Sequence, residues 1–224
     1  MEIKSTSDFN ETGKLRFVVY GSSGAGKTKL ISTLPGRVLI LDTDKGLATI
    51  RKSNIDYVTA TNWKEVKEFL AYLRTEECLK KYDFIVFDTL TAIFDSYMIE
   101  LEEKEKKRDK PDKFNVYKQF LDFAMAFFAN LRDQQNYHTL TLCQMGEREN
   151  SDGITEKSYA IPGQARNRMT EFFDEVFALR VDKEGVRYLQ TVSQAGYLAK
   201  DRSNVLDKHE PADLSKIIDK IKGK

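Results

Sequence analysis

The chain has 224 residues, 41% hydrophobic and 32% charged, and its 36 basic and 35 acidic side chains leave a net charge of +1. That composition supports one sizeable core, while near-neutrality excludes a generally basic surface, so any nucleic-acid contact has to be local. No apolar run approaches the roughly 20 residues that cross a bilayer, the polar start is no secretory leader, and Cys78 and Cys143 lack metal-site spacing. A soluble, reduced, cytoplasmic setting without a membrane partner is expected, with both thiols acting as small buried apolar groups.

Residues 1–13 are polar apart from Ile3 and Phe9 and read as an N-terminal arm; residues 14–224 read as a single domain. The run 14–20 is β-rich and apolar, a strand leading into Gly21-Ser22-Ser23-Gly24-Ala25-Gly26-Lys27-Thr28. A short helix follows over 27–34, stopped by Pro35-Gly36. Strands are expected at 37–41, ending in Asp42-Thr43-Asp44, and at 55–58. A helix over 63–73 carries Val66, Phe69, Leu70 and Leu73 on one face, capped by Thr61 or Asn62. The apolar strand 82–87 runs directly into Asp88.

Two amphipathic helices come next, over 92–107 and 114–131, separated by a charge run from Glu102 to Lys110 that reads as a solvated helix end. Their aromatic stripe has a continuous helical period and reads as core, not as a base-stacking platform. A strand at 138–143 is closed by Gln144, and residues 145–163 read as a long polar loop of functional type. A helix is expected over 164–173, then strands at 175–181 and 186–192 around Lys183-Glu184-Gly185, a short strand from Tyr197 to Lys200, and a closing helix over 210–221 with Pro211 in its first turn. Strands alternate with helices up to residue 143, which predicts an α/β fold with a mostly parallel central sheet flanked by helices, and an antiparallel hairpin toward the C-terminus.

The motif at 21–28 is a complete GxxxxGK(S/T) phosphate-binding loop in its required strand–loop–helix context. Its glycines let several backbone N–H groups point into one concavity where a polyphosphate sits. Lys27 is expected to neutralise the β- and γ-phosphates of ATP, and Thr28 to bind the bridging magnesium ion. Asp88, at the end of an apolar strand, is the expected second magnesium ligand; the competing role is capping the helix that follows. Asp44 is the first candidate to orient or deprotonate water and Asp42 the second, with loop capping as the alternative for both.

The phosphate loop, the acidic strand end at 42–44, Asp88-Thr89 and the strand ending in Gln144 resemble, in that order, the core of RecA-like P-loop ATPases. The segments Ala160-Ile161-Pro162-Gly163-Gln164-Ala165-Arg166-Asn167-Arg168 and Leu198-Ala199-Lys200-Asp201-Arg202-Ser203-Asn204 are similar to those of small phage-type RecA-like nucleotide-binding and single-strand annealing proteins. The resemblance covers roughly residues 14–205 and implies an ATP- and magnesium-dependent ATPase, slow or DNA-stimulated, in a phage or bacterial host cell. It implies binding of single-stranded DNA, help in annealing or recombination, and a homo-oligomeric ring or filament with ATP between subunits. It further implies that Gln144 senses the γ-phosphate, that Lys200 and Arg202 reach the ATP of a neighbouring subunit, and that the 145–163 segment meets DNA. Arg148, Lys157, Arg166 and Arg168 then pair with DNA phosphates and Tyr159 stacks on a base. The chain departs from the family in having Asp44 where Glu is common, which weakens the case for fast hydrolysis. Two other readings are a P-loop small-molecule kinase and a nucleotide-gated adaptor with little hydrolysis.

Overall fold

The computed structural model describes residues 13–149 and 153–223, leaving aside the side chain of Arg148. The arm read over residues 1–13, with Ile3 and Phe9, lies outside the described residues except for Gly13. The first strand, β1 (Arg16–Gly21), is buried along its whole length and enters the phosphate loop, after which α1 (Lys27–Ile31) makes little more than one turn. Strands β2 (Val38–Asp42) and β3 (Asp56–Thr59) follow.

Helix α2 (Trp63–Tyr72) starts where Asn62 Oδ1 accepts from Glu65 N at 3.1 Å, while Glu65 reaches back to Thr61 N at 2.6 Å. This reciprocal arrangement satisfies one donor of the first helical turn, Glu65 N, and the N–H of Thr61 just before the cap. A short helix, α3 (Glu76–Lys81), was not apparent in the sequence because only Cys78 of its residues is buried. Next come β4 (Phe84–Asp88), α4 (Leu90–Glu105) and α5 (Lys113–Asp133). The charge run between the two helices is not wholly solvated: Glu105 is buried and accepts from Arg108 Nη1 (3.1 Å), Asp112 N (2.9 Å) and Asn115 Nδ2 (2.8 Å).

The sharpest departure from the sequence reading lies in 145–163. The strand expected to stop at Cys143 continues as β5 (His138–Glu149) and pairs antiparallel with β6 (Thr155–Tyr159), so most of the expected loop is a β-hairpin. Apart from Met145 and Tyr159 the paired residues 145–149 and 155–159 are polar or glycine, with no apolar alternation, which is why periodicity misses them. The remaining elements are α6 (Ala165–Arg168), β7 (Glu175–Val181), β8 (Arg187–Gln190), β9 (Lys200–Asp201), β10 (His209–Pro211) and α7 (Leu214–Ile221). Pro211 therefore belongs to a strand on β8 and not to a helical first turn; α7 begins at the cap Asp213, whose side chain accepts from Ser215 N and Lys216 N.

The sheet runs β10-β8-β7-β1-β5-β4-β2-β3, with β6 added on β5 and β9 on β7. The six strands from β7 to β3 are all parallel, and β8 and β10 extend them antiparallel. This is the expected α/β layout, a mostly parallel central sheet flanked by helices with antiparallel strands toward the C-terminus. Alternate residues of β1 feed two cores: Val18 and Tyr20 pack with α2, α4 and α5, while Phe17 and Val19 pack with α1 and α7. The aromatic stripe of α4 and α5 is core as expected, with Phe94 in contact with the rings of Phe120, Phe123, Phe127 and Phe128. Cys78 and Cys143 are buried free thiols. Among the described residues no helix is long and apolar enough to cross a membrane.

Glu175 opens β7 only 1% exposed, with Oε1 accepting from Ser203 N at 3.3 Å and no hydrogen-bond partner at Oε2. Burial first, and then the Asp201 carboxylate, push its pKa up from 4.5 to about 8. Between these two values the unfolded chain has released a proton that the folded chain keeps, so stability falls as pH rises from 4.5 to about 8 and is level in this respect above it. Glu175→Gln is expected to flatten that slope and to raise stability at pH 8 by on the order of 3 kcal/mol. Urea denaturation of both proteins across the pH range measures it; parallel pH profiles count against a buried neutral carboxyl.

Candidate nucleotide site

Parallel pairing brings the carboxyl ends of β1, β5, β4 and β2 to one edge of the sheet, where ligands collect in such folds. In register, Gly21 lies opposite Gln144, and Asp42 opposite Asp88. The phosphate loop turns back on itself with Ala25 N donating to Ser22 O at 3.2 Å. Gly24 and Gly26 sit at φ of 76° and 103°, a region that side chains with a Cβ rarely adopt. Since α1 spans five residues, its dipole adds little; anion affinity rests on the N–H groups of the loop itself and on Lys27.

Thr28 Oγ1 donates to Asp88 Oδ2 at 2.8 Å, so the two expected magnesium ligands are side by side. The capping role once open to Asp88 is taken by Thr89, whose hydroxyl accepts from Ala92 N at 3.3 Å. Asp88 is 2% exposed. Burial, with Asp44 and Asp42 nearby, pushes its pKa up to about 6 against the opposing pull of Thr28 and Lys27. Burial also raises the pKa of Asp42, whose Oδ1 accepts from Gly46 N at 3.4 Å. Asp44 is exposed, and its Oδ2 accepts from Thr89 Oγ1 at 3.3 Å.

Lys27 Nζ donates to Gly21 O (2.8 Å) and Ser22 O (3.0 Å), folded over its own loop, and burial lowers its pKa while Asp88 and Asp44 oppose the shift. A hard-oxygen pair, Thr28 and Asp88, beside an ammonium and a glycine loop is a donor set that suits magnesium and a polyphosphate.

A family model described as an AAA domain matches residues 13–203. The chain belongs to this AAA-domain family. It is also similar to a solved structure, the flagellar accessory protein FlaH from Methanocaldococcus jannaschii, at 9% identity and a TM-score of 0.48, over 88% of this chain and 84% of that one. No curated protein matches it.

Several residues of this AAA-domain site were not visible in sequence. Thr43 laces β2 to β4: its N and Oγ1 donate to Asp88 O at 2.8 and 3.1 Å, and its Oγ1 accepts from Thr89 N at 2.9 Å. Thr91 Oγ1 accepts from Gln144 N at 3.1 Å and donates to Ala160 O at 3.0 Å, which fastens the strand end at Gln144 to the hairpin. Gln144 itself is exposed next to the start of the loop. Arg187 reaches from β8 to the loop, Nε donating to Ala25 O at 2.8 Å. A cleft of ≈ 360 Å³ opens beside the loop, lined by Ser22, Gly24, Met145, Arg180 and Tyr197 among others.

Of the residues expected to meet DNA, Tyr159 is set apart by burial. Tyr159 is fully buried, its hydroxyl 2.9 Å from Arg166 O and 2.7 Å from Thr170 Oγ1, so it is a core residue and unable to stack on a base. Lys157 Nζ lies 3.4 Å from Tyr197 Oη and over that ring. Arg166 donates from Nη1 to Glu147 O at 3.2 Å, and Arg168 is exposed 3.8 Å from Glu171. The hairpin register sets Glu147 opposite Lys157 and Arg148 opposite Glu156.

Lys200 Nζ donates to Thr170 O (2.9 Å) and Phe173 O (2.7 Å), and Arg202 lies 3.4 Å from Asp174. Lys200 opens β9 and Arg202 follows it; β9 pairs with the amino end of β7, the opposite end of the sheet from the phosphate loop. Within one chain, then, neither belongs to the loop's surroundings.

Because Asp88 titrates near pH 6 when folded and at 3.8 when unfolded, it lowers the stability of the free protein as pH rises between those values. Asp88→Asn is expected to stabilise the free protein at pH 7 by on the order of 2 kcal/mol while removing the magnesium-dependent part of its ATP affinity. Denaturation without magnesium and ATP titration with it measure the two effects; a destabilised variant contradicts the burial argument.

Proposed function

We propose that this protein is an ATP- and magnesium-dependent ATPase of the RecA-like kind that binds single-stranded DNA and assists annealing or recombination, with ATP held between subunits of a homo-oligomer. The observation that carries the nucleotide half is the 2.8 Å contact of Thr28 with the buried Asp88 beside a complete phosphate loop. Thr28 and Asp88 would hold magnesium, which when bound neutralises charge on the β- and γ-phosphate oxygens. Lys27 leaves the carbonyls of Gly21 and Ser22 for the phosphates, exchanging dipoles for full charges. Asp44, oriented by Thr89, is the group available to align water, and Gln144 can donate its amide to a terminal phosphate.

The DNA half is supported by connectivity. Gln144 lies within β5, which runs on into the β5–β6 hairpin and is tied to it through Thr91, so a change at the phosphate would pass to the hairpin without an intervening loop. With the charges on the hairpin opposed in register, Arg166 and Arg168 after it are the better candidates for phosphate contact. The adaptor reading is favoured by one feature: Asp44 is shorter than the glutamate common at this position and is held by Thr89, which suits slow turnover. The charge run that a kinase could use as a lid is tied to its own helix, with Arg108 3.1 Å from Glu105.

ATP turnover with and without single-stranded DNA, measured alongside mass in solution, tests the proposal. DNA is expected to raise turnover several-fold and to increase the mass. Arg166→Ala combined with Arg168→Ala is expected to weaken DNA binding and to reduce the salt slope by about 2. Tight ATP binding with negligible turnover, with or without DNA, supports the adaptor instead, and phosphate transfer to a small acceptor supports the kinase.

A further inference from the structure

Arg187 is the first residue of β8, opposite Val181 in the β7–β8 hairpin, and its guanidinium reaches the phosphate loop. Nε donates to Ala25 O at 2.8 Å. Among the described residues that is the only hydrogen bond or ion pair it makes, so a long exposed side chain is committed to one loop carbonyl. The fit is reciprocal: a Cβ placed on Gly26 would come within 2.6 Å of Arg187 Nε and 3.0 Å of its Cδ. Gly26 is thus needed for its left-handed φ and also for the room it leaves to the arginine.

The peptide joining Ala25 to Gly26 is planar and trans, so its C=O and N–H point in opposite directions. With the Ala25 carbonyl held on Arg187, the Gly26 N–H points the opposite way, where it would donate to a phosphate bound in the loop. A peptide next to a glycine has little steric reason to keep one orientation; the flipped state would aim a carbonyl at the anion. The cation on the oxygen also polarises the amide and strengthens the N–H as a donor.

We propose that Arg187 is a positioning residue of the nucleotide site, holding the Ala25–Gly26 peptide in the orientation that binds phosphate. This rests on the reading of residues 21–28 as an ATP site. The competing explanation is that the contact merely pins the edge of the sheet.

The test compares Arg187→Ala and Arg187→Lys with the wild type and Lys27→Ala, by magnesium–ATP and magnesium–ADP titration and by thermal melting without nucleotide. Removing a charge-assisted hydrogen bond that selects the binding orientation is expected to raise both dissociation constants about tenfold, and by similar factors, since the loop cradles phosphates common to ATP and ADP. Arg187→Lys, which keeps a cation on the carbonyl, recovers most of the affinity, and nucleotide-free melting of both variants matches the wild type. If Arg187→Ala binds like the wild type while Lys27→Ala does not, this proposal falls and the ATP site stands. A nucleotide-free melting temperature that drops together with affinity also overturns it, in favour of a structural role. Equal binding by wild type and Lys27→Ala overturns the ATP site and this proposal together.

Discussion

The parallel pairing of β1, β5, β4 and β2 is the constraint on which the site depends. Parallel strands put all their carboxyl ends on one side, so loops far apart in sequence meet there. Gly21 faces Gln144 and Asp42 faces Asp88 through the ladder register; a two-residue slip of β1 or β4 on β5 would separate Thr28 from Asp88. The register is in turn held by burial on both faces, since each of β1, β2 and β4 is buried from end to end.

Acidic groups at one sheet edge are costly unless something answers them. Asp42, Asp44 and Asp88 crowd the loop, and the free protein answers them with hydroxyls and backbone: Thr28 on Asp88, Thr89 on Asp44, Gly46 N on Asp42. Lys27 adds a positive charge close to Asp88 and Asp44. Such a site is poised for a cation and a polyphosphate, and its strain on the free fold is the counterpart of that readiness.

The hairpin beyond Gln144 is linked to the loop from several directions. Tyr20, on β1, has its Oη 3.0 Å from Lys157 O and 2.7 Å from Leu198 O, and Ser22 Oγ lies 4.0 Å from Met145 Sδ. Lys157 and Arg180 both lie over the ring of Tyr197 beside the cleft. The elements that follow β5 are therefore part of the nucleotide edge and not an appendage. The same holds for β8, which reaches the loop through Arg187.

What the sequence determined unaided is whatever depends on local chemistry: the phosphate loop, whose glycines and lysine are fixed by spacing, the alternation that makes an α/β sheet, and Asp88 at the end of a wholly apolar strand. Buried parallel strands read clearly because both their faces are apolar. The polar hairpin did not, because cross-strand pairing and not hydrophobic period holds it, and α3 did not, because one buried cysteine makes no stripe. Only the tertiary structure decided which polar residues are partners. It buried Tyr159 in the core, fixed Lys200 on carbonyls at the far end of the sheet, and brought Thr43, Thr91 and Arg187 to the nucleotide edge. Such contacts join residues up to 162 positions apart, as Arg187 is from Ala25, and no local pattern records which distant strand a side chain will meet.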